Sequence, residues 1–322
     1  MKRLLYIALI IACTACTEQP ELSIRLHESA PMPSPRAGAA CFVVDGQAYV
    51  FAGRNKEGNL LNDLWRYRPE TDSWDSIGQA PMTTRVNPTA CVKDGKVYLG
   101  LGFNGKHGRD SSYKRDWWEY NPAANTWFRL ADYPNHYTDD ATAFTGEEAL
   151  YVGYGFCWNY RRDMFRYTIA TNTWDSIDVN VSFHGYPTRS FGGTGCSCLG
   201  RHFMGTGYYR YSLDWWAELV DGTRWEKRTP VPGKTRTLAA SAATDEYIYL
   251  AGGIHYGGVV TTGEVLRDIR RYAPDSDTWT YVAVLPVGLI NHVCFTIGKR
   301  VYIGLGETEE WQFNDKLYWF EE

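Results

Sequence analysis

The side chains that could do chemistry in this chain are arginines, histidines, a few carboxylates and a set of aromatic rings. Arg36, Arg85 and Arg236 each follow a proline by a few residues, Arg189 does so approximately, and Arg54 stands directly after Gly53. Guanidinium forks match carboxylates at two points, so such a set in a chain of formal net charge −4 points to an acidic ligand. Beside them stand His107, Arg109, His136, His255 and His292, which add polar contacts, and Trp158, Tyr160, Tyr209 and Tyr256, whose rings can stack on a sugar face or hold a peptide side chain. Two other readings stay open. The arginines can pair with acids of neighbouring structural units, and the histidines can be polar rim residues. No His-x-His or His-x3-His spacing occurs, so neither a metal site nor a cofactor is expected.

The elements that must position these residues come from a repeat. Asp is followed eleven residues later by Trp at Asp63/Trp74, Asp116/Trp127, Asp163/Trp174, Asp214/Trp225 and Asp268/Trp279, with a sixth Asp at 315. Successive Asp spacings are 53, 47, 51, 54 and 47. An aromatic-led stretch ending in Gly keeps step at Gly53, Gly102, Gly155, Gly207, Gly253 and Gly306. Each unit holds four short apolar or aromatic stretches divided by turn signals, with Asp45-Gly46 and Asp94-Gly95 as hairpin turns. The whole composition agrees: 44% hydrophobic and 15% aromatic with 31 Gly fits short strands and tight turns. The 33 basic against 37 acidic residues give no basic face for nucleic acid.

Four-stranded antiparallel units of about 50 residues, repeated radially, make a β-propeller. The glycine doublet, the following Asp, the aromatic before Pro and the spaced Trp resemble the kelch family, from Arg36 to the C-terminus. That resemblance implies an all-β fold: a six-bladed kelch-type β-propeller over residues 22–322, with the last blade closed by the N-terminal strand, and a monomer is expected. Ser23-Ile24-Arg25-Leu26 stands before Pro31-Met32 as Trp74-Asp75-Ser76-Ile77 stands before Pro81-Met82, which is why that strand is expected to complete the sixth unit. The periodic Asp, Trp and Gly residues are then scaffold.

The start of the chain reads as an export signal. Lys2 and Arg3 precede an apolar run from Leu4 to Ala12, too short to span a bilayer. The Cys16 that follows Thr14-Ala15 resembles the lipidated cysteine of a bacterial lipobox, with Cys13 as the alternative and a plain secreted protein as the other reading. Residues 1–16 are thus expected to be a lipoprotein signal and 17–21 a polar tether. The resemblance implies a membrane-anchored protein of the bacterial cell envelope. Cys41, Cys91, Cys196 and Cys294 fall on innermost strands as buried thiols, and Cys157 is the candidate reactive thiol.

With strands a to d counted outward from the axis, the b–c loops and the d–a connections between units share one face. The Gly-to-Asp spacings across the b–c loops vary as 10, 14, 8, 7, 15 and 9, and variable loops on a rigid scaffold are where binding concentrates. The expected function is binding of a glycan, an acidic small molecule or a protein partner at that face. The alternative is a mutarotase resembling the N-acetylneuraminate epimerase group, which would use Glu264 and Arg267. The blade 5 loop departs from that group's acid-to-Arg spacing. A galactose-oxidase-like copper enzyme is disfavoured, because no Cys–Tyr cofactor is recognisable.

Overall fold

The computed structural model describes residues 21–22, 24–105, 112–134, 138–157, 163–177, 190–257 and 263–322. The alternation of apolar stretches and turns folds as expected into six four-stranded antiparallel sheets. Blade 1 comprises Ala40–Val44, Gln47–Phe51, Asp63–Arg68 and Ser73–Gln79. Blade 2 comprises Thr89–Lys93, Lys96–Gly100, Trp117–Asn121 and Thr126–Arg129, and blade 3 Thr142–Thr145, Ala149–Gly153, Met164–Thr168 and Thr173–Ile177. Blade 4 comprises Thr194–Cys198, Arg201–Gly205, Trp216–Val220 and Arg224–Lys227, and blade 5 Ala240–Ala243, Ile248–Ala251, Asp268–Ala273 and Thr278–Val284. Each first strand packs against the first strand of the next blade, all the way round the axis.

Blade 6 takes three strands from the end of the chain, Val293–Ile297, Arg300–Gly304 and Leu317–Glu321, and its outermost strand from the beginning, His27–Glu28. His27 pairs with Trp319 and Glu28 with Tyr318. The His27 ring stacks on Trp319 at 4.5 Å, and Leu22, Ile24 and Leu26 pack onto the apolar layer of blades 5 and 6. The pairing starts a few residues later than the sequence alignment places it, because Leu22, Ile24 and Leu26 are used for packing.

The core is a set of layers between neighbouring blades. Phe51 and Leu64 of blade 1 meet Val97 and Leu99 of blade 2, and Val50 and Tyr67 of blade 1 meet Tyr302 and Leu317 of blade 6. Alternating side chains of each strand therefore bury on opposite sides of one sheet. The periodic Trp residues tie connection to blade: Trp74, Trp174 and Trp279 donate their indole N–H to the carbonyls of Ala30, Ala131 and Thr229 at 3.0, 3.0 and 2.9 Å. Cys41, Cys91, Cys196, Cys198 and Cys294 are free thiols. Burial pushes Cys41 to about 11 and Cys196 to about 12, which keeps them protonated and inert.

Candidate functional site

The b–c loops and d–a connections do share a face, and they pair with each other there. Ala37 bridges Arg54, Leu61 bridges Arg85, Val86 bridges Phe103, Phe191 bridges Tyr208 and Thr237 bridges Ile254. Loop residues on this face are thus held by main-chain bonds to the neighbouring blade, which gives a rigid platform.

Arg36, Arg85 and Arg236 do not line that platform as free cations. Each is fully buried. Arg36 grips Asp63 through both fork nitrogens at 2.7 and 3.0 Å, Arg85 grips Asp116 at 2.8 and 2.8 Å, and Arg236 grips Asp268 at 3.0 and 2.8 Å. The same guanidinium also donates to a main-chain carbonyl, of Ala52, Leu101 or Gly252. This corrects the expectation of a carboxylate-binding ring: the forks are filled by the periodic aspartates of the same blade. Burial by itself would raise the Asp63, Asp116 and Asp268 carboxyls, but the paired arginine outweighs it and holds all three below the usual range.

The register also moves the Arg189 expectation. The clamp position lies two residues before the left-handed residue that precedes each first strand (Gly38, Asn87, Asp140, Gly192, Leu238, Asn291). In blades 3, 4 and 6 that position holds Thr138, Ser190 and Leu289. Arg189 itself lies outside the described residues, as do His107, Arg109, His136, Trp158, Tyr160 and Cys16.

The remaining expected site residues are found on the loop face in three groups. Arg54 is half-exposed, pairs with Glu307 at 2.8 Å and lies over the Phe313 ring. In blade 5 two short strands, Ile254–His255 and Glu264–Val265, pair so that His255 stands directly opposite Glu264. His255 Nδ1 meets the Thr235 hydroxyl at 2.9 Å, and Glu264 is exposed and paired with Lys234. Arg267 turns away from Glu264's partner: its guanidinium donates to the carbonyls of Leu285 and Pro286 in the connection to blade 6. The structure therefore pairs Glu264 with Lys234, sets His255 opposite it in the strand register, and spends Arg267 on the main chain. Aromatic rings form the third group. Tyr256 packs edge-on against Tyr208 at 5.8 Å, Tyr209 pairs across a tight turn with Tyr211, and Tyr211 and Trp311 are 57% and 58% exposed.

Two features at the centre of this face carry no signal as a motif. His292 is buried, burial lowers it to about 4, and its ring lies against Gly252, where a Cβ would come within 3.0 Å of it. The acids Asp139 and Asp140 follow each other at the start of blade 3. Asn87 donates from its side-chain amide to Asp140 at 3.0 Å. Burial raises Asp140 to about 7, and burial together with the neighbouring Asp140 raises Asp139 well above the usual carboxyl value. Asp140, Asn87, Asn291 and His292 line an axial cavity of about 130 Å³ with the surrounding small residues. Among the described residues no group of three or more His, Cys, Asp or Glu side chains is gathered in one place.

Comparison with known proteins agrees with this architecture. The family model described as the KLHDC2/KLHL20/DRC7 Kelch-repeats domain matches residues 16–207, and the Kelch motif matches 235–285. The chain is 26% identical over 124 residues to Beta-scruin of Limulus polyphemus, covering 38% of this chain and 13% of that protein. It is 29% identical over 106 residues to N-acetylneuraminate epimerase of Shigella sonnei (strain Ss046), covering 33% of this chain and 27% of that protein. It is 39% identical over 75 residues to N-acetylneuraminate epimerase of Shigella boydii serotype 4 (strain Sb227), covering 22% and 20%. The matched stretches thus span about a quarter or less of these relatives. The solved structure titled "Structure of YjhT" superposes with a TM-score of 0.74 at 15% identity, over 90% of this chain and 96% of that one, which establishes the shared fold.

Proposed function

Because the chain belongs to the kelch-repeat proteins, whose model matches more than half of it, we propose that it is an exported, lipid-anchored propeller that binds a carbohydrate on the b–c and d–a loop face. The observation that carries this reading is the set of exposed aromatic rings, Tyr211 and Trp311 above all, on a face whose loops are locked to one another. Flat rings beside polar groups suit the alternating apolar and hydroxyl surfaces of a sugar. With Arg36, Arg85 and Arg236 clamped inside the blades and Arg267 held on main-chain carbonyls, only Arg54 is left among the described expected arginines to meet an acidic group, and it already shares Glu307. A glycan-binding screen tests the reading. Tyr211→Ala and Trp311→Ala should each weaken sugar binding at least tenfold, and unchanged affinity in both would remove the aromatic face from it. Palmitate labelling of the wild type, Cys16→Ser and Cys13→Ser tests the anchor, with loss in Cys16→Ser expected.

A mutarotase reading is favoured by one specific observation, the strand register that sets His255 opposite Glu264, and by the relatives that carry the name N-acetylneuraminate epimerase. Ring opening and closing needs a group that takes a proton and one that returns it, and an imidazole beside a carboxylate supplies both. Anomer interconversion of sialic acid, followed by NMR with the wild type and Glu264→Ala, separates the readings. Acceleration that disappears in the variant supports the enzyme; no acceleration above background sinks it.

A further inference from the structure

The main chain draws a nearly closed ring around the axis, and the ring opens at blade 3. Gly38 donates its N–H to Asn291 O, Asn87 to Gly38 O and Leu238 to Gly192 O, each at 2.8 Å, and Asn291 donates to Leu238 O at 3.3 Å. Each bond links the left-handed residue of one blade to the same residue of the blade before. Among the described residues the two links that would run through Asp140 are not made, so no N–H from the following blade reaches the carbonyls of Asn87 and Asp140.

The side chains at that opening are acidic only there. The pair Asp139-Asp140 corresponds to Ala37-Gly38, Val86-Asn87, Phe191-Gly192, Thr237-Leu238 and Ile290-Asn291 in the other blades, so the fold does not need acids at these places. Asp139 is buried and its Oδ1 has no hydrogen-bond partner. No Lys or Arg among the described residues pairs with either acid. Burying carboxylates without a counter-charge costs several kcal/mol per ion, roughly, even after relaxation. A second observation comes from the opposite side of the axis. His292 lines the same cavity, is only 7% exposed, and neither of its ring nitrogens makes a hydrogen bond of good geometry, the Ala251 main chain being only close enough to act on the ring. A buried imidazole with two idle nitrogens calls for a bound group that offers it a hydrogen bond.

We propose that the axial cavity binds one hard divalent cation of the calcium class, through the carboxylate of Asp140 and the oxygens around Asn87, with the buried Asp139 adding its charge beside Asp140 and His292 hydrogen-bonded to the water that completes its shell. Oxygen ligands from carboxylate, amide and main chain are what such a cation takes. The cavity wall supplies one carboxylate, Asp140, so amide and main-chain oxygens and water fill the remaining positions. The proposal is independent of the sugar reading and of the mutarotase reading, since neither uses these residues.

The test is a thermal-unfolding series on the full chain stripped with chelator, titrated separately with calcium, magnesium, potassium and zinc chloride. Calcium should raise the Tm by about 3 °C per tenfold excess beyond saturation, and Asp140→Asn should abolish the rise while remaining folded by circular dichroism. No rise with calcium or magnesium overturns the proposal, as does a rise that persists in Asp140→Asn or one seen with zinc alone. Should Asp140→Asn not fold, Asp139→Asn in the same titration decides. No sugar is present in any arm, so failure here leaves the carbohydrate reading standing, and failure of that reading leaves this one.

Discussion

Blades 1, 2 and 5 solve with an arginine a problem that blades 3, 4 and 6 solve in other ways. In every blade the second strand ends in a left-handed residue before Gly, at Ala52, Leu101, Tyr154, Thr206, Gly252 and Leu305. The carbonyl of that residue is turned out of the sheet ladder and needs a donor. In the first set it receives one from Arg36, Arg85 or Arg236. Elsewhere Thr138 donates to Tyr154 O at 3.3 Å, Ser190 and Trp215 donate to Thr206 O at 3.4 and 2.7 Å, and Asn314 donates to Leu305 O at 3.3 Å. What repeats is therefore an acceptor in want of a donor, and the residue that meets it is free to change. The difference also divides the face: the clamped blades are locked by ion pairs, whereas blade 3 brings two unpaired acids to the axis.

The largest expected effect breaks the comparison if it is absent. Arg85→Ala strands Asp116 and a main-chain carbonyl, and should cost about 3–5 kcal/mol in denaturant unfolding. Thr138→Ala at the equivalent place should cost only ~0.5–1.5 kcal/mol. Equal losses would mean that the forks are not what distinguishes the blades.

Acid titration sharpens the same contrast. Asp63, Asp116 and Asp268 have lowered carboxyl pKa values, so their contribution is present above the unfolded-state value of about 4 and is lost as pH falls through the folded value. Asp140 has the opposite sign. Its folded pKa is raised to about 7, so its contribution is present below about pH 4 and is lost as pH rises toward 7. In chelated protein, Asp140→Asn should flatten the decline in stability between pH 5 and 7 and leave the acid limb below pH 4 unchanged; Tm against pH measures both.

The smallest effect belongs to the half-exposed pair of Arg54 and Glu307. Arg54→Ala should change stability by less than about 1 kcal/mol, while a charged sugar, if bound, should lose affinity in a parallel titration. A stability loss as large as that of Arg85→Ala would place Arg54 with the clamps.

The period of the Asp and Trp residues made the six blades, their strand order and the sharing of one face by two classes of loop legible in the sequence. It also placed the closing strand at the beginning of the chain, although His27–Glu28 pairs later than the alignment of Ser23 to Leu26 suggests, since strand pairing and interblade packing compete for the same few residues. The arginines were legible as a set but not as to partner. A fork that fits a ligand carboxylate fits Asp63 equally well, and only the three-dimensional register brings Arg36 and Asp63 together. The same register puts Ser190, not Arg189, at the clamp position. The axial acids could not be read as a unit, because Asn87 and Asp140 lie 53 residues apart and meet only when blades 2 and 3 stand side by side.

The seam of blade 6 sets an order in time. Every other blade is built from neighbouring stretches of chain, so its strands can pair as soon as they are made. The pairing of His27 with Trp319 and of Glu28 with Tyr318 waits for the far end, and contacts of such separation are slow to form. Until then the outer edge of Leu317–Glu321 stays open, and an open edge accepts a strand from any chain that offers one. The last step of folding is thus also the step at which one molecule is most exposed to joining another.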